Sequence, residues 1–376
     1  MLNAFLSVWH VDILVWCQLV LIGILAVGTL ALTINGARAH RSELSVTFAG
    51  LVAVVAAAFT NNIAVLALTF ALAVLAATCL ALHAQRAADE KARKAILALC
   101  IGSVGLFTIG AALLFTSQYI QWAFIVVAVA TLSSFGIFFM KTRFTSFVGG
   151  AAPVVFFIAL LRVKQITDGA MADDGVWTNN FFLGFGALII LMAVVKLVFK
   201  KKRQLLSISS VQHIGLVAFM IGAGPAGTIP AIIHLVGQAV AHSGLWYSTQ
   251  SSAVVQSNTT LKYLSGALFA SLLGAPFSVL FVSELIGVGY ALQAHLILAL
   301  LVFFALAIIN VYLIRGVITL TAGSEPSEST PMTRHQKILA GVLAVHVAIM
   351  FGAGTYLLTQ QGIQFAVTAA ENIASL

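Results

Sequence analysis

Residues 120–140 read IQWAFIVVAVATLSSFGIFFM, without one charged side chain. Wound at 3.6 residues per turn, the segment is apolar on every face, and about 20 such residues span the ~30 Å hydrocarbon core of a bilayer. A barrel strand would instead alternate in polarity over about ten residues. The segment reads as a transmembrane α-helix, and similar windows fall near 11–34, 45–60, 63–83, 95–116, 147–163, 181–199, 205–223, 229–249, 264–290, 295–316 and 336–358. The whole chain is 61% hydrophobic and 8% charged, with mean hydropathy +1.07. An ordinary soluble domain carries about 25% charged residues. The expected fold is an all-α, polytopic membrane bundle of about twelve transmembrane helices.

The basic residues give the orientation, because short cytoplasmic loops keep Lys and Arg. Sixteen of the nineteen, among them Arg38, Arg86, Lys141, Lys200–Arg203, Lys262, Arg315 and Lys337, follow the odd-numbered spans. The other loops are short or acidic, as at Asp168, Asp173 and Asp174. This pattern predicts a bacterial-type inner membrane protein with both termini on the outer side. It also accounts for the net charge of +8 without nucleic acid. Val11–Ile34 is long for a signal-peptide core and has no basic flank ahead of it, so it reads as the first span.

No phosphate loop, nucleotide fingerprint or cluster-binding cysteine set occurs. Cys17, Cys79 and Cys100 are isolated within spans and read as packing residues. No cofactor is expected, and any redox or nucleotide chemistry would belong to partner subunits.

The chemistry lies after Arg203. An ionisable group in hydrocarbon costs about 2.5–3.5 kcal/mol on insertion scales and marks a functional site by default. His234, Gln238 and His242 recur at i, i+4 and i+8, one stripe of one helix. A proton relay needs short hops between groups that both accept and donate, and imidazole does both near neutral pH. His213 follows the hydroxyl-rich Ser207-Ile208-Ser209-Ser210 by about one turn. Glu284 is the one acidic residue deep within a span, and it follows Gly274-Ala275-Pro276, where the missing proline N–H breaks the helix. Such breaks occur where backbone is buried in protein or lines a hydrated cavity. Pro153 suggests a second break. His346 stands alone and reads as structural. A metal held by His234 and His242 is disfavoured, since two turns separate them and no acidic ligand is near in sequence.

The three motifs SISSVQHIGLVAFMIGAG (207–224), IPAIIHLVGQAVAHSGLWY (229–247) and GAPFSVLFVSELIGV (274–288) resemble, in order, the second half of the antiporter-like membrane subunits. These belong to respiratory complex I, Mrp-type cation/proton antiporters and membrane-bound hydrogenases; the likeness is strongest to hydrogenase-4 component F. The resemblance covers about residues 200–290. It implies inverted repeats with discontinuous helices, divided here into halves 1–200 and 201–376, and partners in the form of other membrane or cytoplasmic subunits. His234 matches the first histidine of the family's HLLxH motif, and Gln238 occupies the place of its second. His242 stands at the central lysine, Glu284 at the acidic residue of the SE motif, and Gln212 replaces a glutamate. In the first half Ala71 stands where the family carries a glutamate, and the buried lysine has no clear match; Arg162 and Lys164 fall at the end of the 147–163 span. The resemblance implies a shortened subunit with a degenerate first repeat that conducts protons, with Na⁺ as the alternative ion. A different reading is the membrane half of an inorganic-carbon uptake system working with a cytoplasmic zinc protein, and a third is a packing subunit that conducts nothing.

Overall fold

The computed structural model describes residues 62–84, 90–114, 119–139, 152–171, 175–199, 205–250, 257–321 and 331–374, together with 52, 53, 60, 254 and 255. The spans expected at 11–34 and 45–60, Cys17, the Lys200–Arg203 cluster and the residues just ahead of the Pro153 segment (149–151) lie outside them. The described residues form twelve helices, which fall into two compact units, the chain passing from one to the other between Gly175 and Val176.

The first unit contains α1 (Ile63–Ala84), α2 (Glu90–Leu114), α3 (Ile120–Phe139) and α4 (Ala152–Ala170). Asn62 caps α1, its side chain accepting from the Ala64 and Val65 amides at 2.9 and 3.3 Å. Helices α2 and α3 meet through the Ser103 and Ser133 hydroxyls, 2.9 Å apart, and α1 stacks on α2 through Phe70 and Phe107. Pro153 sits in the first turn of α4, where its missing donor costs nothing. That helix runs seven residues past the expected end of its span. Arg162 and Lys164 are consequently interior to it rather than terminal. Arg162 is buried, and its Nη1 donates to Gln165 Oε1 at 3.2 Å.

The second unit contains α5 (Val176–Phe199), α6 (Leu205–Ile221), α7 (Pro225–Gln250), α8 (Thr259–Leu272), α9 (Val279–Ala294), α10 (Leu296–Thr321), α11 (Arg334–Leu357) and α12 (Gln360–Ala374). Helices α2, α5, α10 and α11 each carry a stretch long and apolar enough to cross a bilayer. On α10 the exposed side chains include Ile297, Phe303, Phe304, Ile308 and Val311, the composition of a lipid-facing surface. The break expected at Gly274-Ala275-Pro276 within 264–290 separates α8 from α9, and a further helix, α12, follows α11.

Helices α5 and α6 approach through glycine. A Cβ on Gly215 would sit 2.8 Å from Ile190 Cγ1 and 3.0 Å from the Gly186 carbonyl, and one on Gly222 would sit 2.6 Å from Leu183 Cγ. Between membrane helices, where burial from water supplies no drive, close backbone approach is a main source of adhesion. Gly215→Val is expected to cost about 1–3 kcal/mol by overpacking. A lower unfolding temperature in detergent is the readout, and an unchanged one would place the attraction elsewhere. The seam matters because it seats α6, which carries His213, against the bundle.

Candidate functional site

Three helices bring the ionisable residues together. Helix α6 ends in the turn Gly222-Ala223-Gly224, with Gly224 at φ +86°, and Pro225 begins α7 from the φ that proline already holds. The tight turn folds α7 back beside α6, so residues 21 positions apart in sequence meet. His213 Nδ1 lies 2.9 Å from His234 Nε2, and both side chains are fully buried.

The third wall comes from the break between α8 and α9. The Ala275 amide bonds the Ala270 carbonyl at 3.0 Å and the Gly274 amide bonds that of Ser271 at 3.1 Å. Gly274 itself is left-handed, at φ +70°. This is the Schellman ending, which needs glycine at that position and is commonly followed by proline; here Pro276 follows. Phe277, at φ +66°, holds a backbone conformation that costs a non-glycine residue about 1–2 kcal/mol. Ser278 then starts α9 by accepting from the Phe281 amide at 3.2 Å. The chain is thereby re-aimed so that Ser283 and Glu284, one turn into α9, reach the histidines.

His234 Nδ1 lies 2.9 Å from Ser283 Oγ, which itself bonds the Leu280 carbonyl at 2.9 Å. A carbonyl only accepts, so the serine proton points to Leu280 and the serine lone pair accepts from His234 Nδ1–H. His234 Nε2 is then the bare nitrogen, accepting from His213 Nδ1–H. A single direction of donation runs from α6 through α7 to α9. Glu284 Oε1 is 3.9 Å from His213 Nδ1, beyond a hydrogen bond, and makes none of its own. Its carboxylate lies against the break: a Cβ at Gly274 would stand 3.1 Å from Oε2. Gly274→Ala is therefore expected to strain the left-handed turn and displace Glu284 together, and a loss of thermal stability of about 1 kcal/mol or more checks it.

Gln238 and His242 continue the stripe on α7. The Gln238 amide is buried, and among the described residues neither its nitrogen nor its oxygen has a hydrogen-bond partner. His242 Nε2 is 3.5 Å from Ser210 Oγ, and its ring centre is 6.3 Å from that of His213, edge to face. Ser210 belongs to the hydroxyl-rich start noted in the sequence, whereas Ser283 and Asn310 were not singled out there. Asn310 bonds Gln212 Nε2 through its Oδ1 at 3.3 Å, and the signal was present, since it is the lone amide side chain in the apolar run 296–314. His346 has partners after all. Its Nδ1 lies 2.8 Å from the Val342 carbonyl and its Nε2 3.1 Å from Ser243 Oγ, with the Tyr247 ring edge-on. It ties α11 to α7 and faces Ser243 rather than the His213–His234 pair.

No protein-family model matches the chain, and no curated protein matches it. Solved structures do. A chain of respiratory complex I from Thermus thermophilus superposes with TM-score 0.77 at 15% identity, over 98% of this chain and 85% of that one. A chain of the archaeal membrane-bound sulfane sulfur reductase gives 0.69 at 17% identity, over 89% and 64% respectively. A chain of the Mrp complex from Dietzia sp. DQ12-45-1b gives 0.69 at 17%, over 97% and 84%. The chain shares the fold of these membrane-complex subunits. The likeness extends well beyond the 200–290 region that carries the sequence motifs, so the shared fold reaches into the first half, where those motifs fade.

Proposed function

We propose that this chain is a proton-conducting membrane subunit of a multi-subunit energy-coupling complex, passing protons among Glu284, His213, His234, Gln238 and His242. The observation that carries the reading is the buried imidazole pair at 2.9 Å with a carboxylate 3.9 Å away, on three different helices. Each imidazole can take a proton on one nitrogen and release it from the other. Transfer along the existing hydrogen bond from His213 Nδ1 to His234 Nε2 needs no heavy-atom displacement. Glu284 needs only a side-chain rotation to close on His213, and at 18% exposed it is the most accessible member. Gln238 cannot titrate, but an amide with both ends unpartnered is suited to water or a passing ion. A path of histidines and one carboxylate favours H⁺ over Na⁺, which prefers a cage of oxygens.

The partners are other subunits, because the structurally similar chains belong to respiratory and Mrp complexes. The two halves, 1–200 and 201–376, then differ in role, with the conducting groups in the second. In the first half Thr69 is buried and spends its hydroxyl on the Leu66 carbonyl at 3.0 Å, and Arg162 carries a charge that a guanidinium does not release. The loop charges put both termini on the outer face of a bacterial-type inner membrane.

The test is proton flux into proteoliposomes under an imposed potassium diffusion potential, read with an entrapped pH dye. His242→Lys keeps a basic group on the stripe and is expected to retain part of the wild-type flux, whereas His242→Ala is expected to fall to the protein-free background. Equal flux from the two variants would reduce His242 to packing.

A further inference from the structure

His213, His234 and Glu284 also meet a requirement that proton relay does not impose. One donor atom from each, the two imidazole nitrogens and a carboxylate oxygen, lie within 4.8 Å of one another. The His213 Nδ1 to His234 Nε2 separation is 2.9 Å and that from His213 Nδ1 to Glu284 Oε1 is 3.9 Å. Ligands about 2.0–2.2 Å from a tetrahedral zinc ion stand roughly 3.3–3.5 Å apart, and the two observed separations bracket that value. Small side-chain rotations suffice to seat an ion. We propose that His213, His234 and Glu284 form a binding site for a divalent transition-metal ion of the zinc class, held between α6, α7 and α9.

Three further features belong to such a site. Ser283 bonds the far nitrogen of His234 at 2.9 Å, the outer contact that orients a ligating histidine and fixes which nitrogen faces the ion. Glu284 Oε1 is buried without a hydrogen bond, so binding an ion breaks no existing bond of that oxygen. The carboxylate also offsets half the charge of a divalent ion in a low-dielectric setting, which three neutral ligands would not do. Two nitrogens and one oxygen suit zinc or its neighbours, whereas Mg²⁺ and Ca²⁺ take oxygen ligands. Three protein ligands leave the fourth position open. No local motif marks the set, because its ligands are 21 and 50 residues apart across two turns.

Zinc takes the lone pair of His234 Nε2 and displaces the proton on His213 Nδ1, which moves to His213 Nε2 or leaves, so metal and relayed proton exclude one another and zinc arrests flux. That consequence rests on the relay reading; the binding itself does not. The experiment uses the full chain, purified in detergent, stripped with a chelator and titrated with Zn²⁺ against a chromogenic competitor. One tight equivalent per chain is expected, undisturbed by millimolar Mg²⁺. His213→Asn, His234→Asn and Glu284→Gln should each weaken it by about tenfold or more, and the surface control His295→Asn should not. Undiminished affinity in all three variants overturns the site. Should the variants fail to fold, X-ray absorption on the wild-type zinc form decides: two imidazoles plus oxygen at about 2.0–2.2 Å support the site, and a spectrum without imidazole overturns it. Zinc bound through these ligands without effect on proton flux supports the site and overturns the relay. Flux in a chain that binds no zinc overturns the site and leaves the relay standing.

Discussion

Glu284→Gln is expected to reduce proton flux by about tenfold or more, equivalent to raising the limiting barrier by at least ~1.4 kcal/mol, while the protein folds normally. Glutamine keeps the size of the carboxylate and fits the same space beside Gly274, where Oε2 lies against the break. It cannot exchange a proton. Because Glu284 Oε1 makes no hydrogen bond among the described residues, its replacement strands no partner of that oxygen. Stability and flux should therefore separate cleanly, with the unfolding temperature unchanged and the pH-dye signal lost. Wild-type flux with glutamine at 284 would remove the carboxylate from the path.

His234→Ala should have a larger combined effect. Two contacts of 2.9 Å disappear together, leaving His213 Nδ1 and Ser283 to find other partners in a buried site. Each unsatisfied group costs about 1–3 kcal/mol, and the lost ring leaves a cavity besides. Flux should fall to background and the unfolding temperature should drop by several degrees. His234→Gln can restore one of the two bonds, and is expected to recover stability without flux. Recovery of both by glutamine would mean that hydrogen bonding, and no proton transfer, is what His234 provides.

The helical membrane class was legible because it depends on composition and period alone, as in residues 120–140. Helix ends were less so. The span expected at 147–163 extends to Ala170 because Lys164 pairs with Asp168 one turn on, a local pair that a hydropathy window reads only as two charges. The break within 264–290 was legible in Gly274-Ala275-Pro276, but its form was not: Gly274 supplies the left-handed residue of a Schellman ending, a bond pattern that apolarity does not register. In the candidate site, the stripe His234, Gln238, His242 follows directly from helical spacing. The pairing of His213 with His234 required the Gly222–Pro225 turn and the glycine seam of α5 with α6, which set distance rather than composition. Asn310 and Ser283 are small polar groups whose partners lie on other helices, so although each stands out locally, its partner does not.

The central claim is that one connected path runs through these residues, and a double-substitution cycle on flux tests it most directly. Groups in series on one path act as a unit, so their losses do not multiply. Proteoliposomes carrying wild-type protein, His242→Asn, Glu284→Gln and the double variant, at matched protein levels, should show flux well above protein-free vesicles only for the wild type. The double variant should be no worse than the poorer single. Wild-type flux at the protein-free level, or a double variant whose loss is the product of the two single losses, would contradict the account.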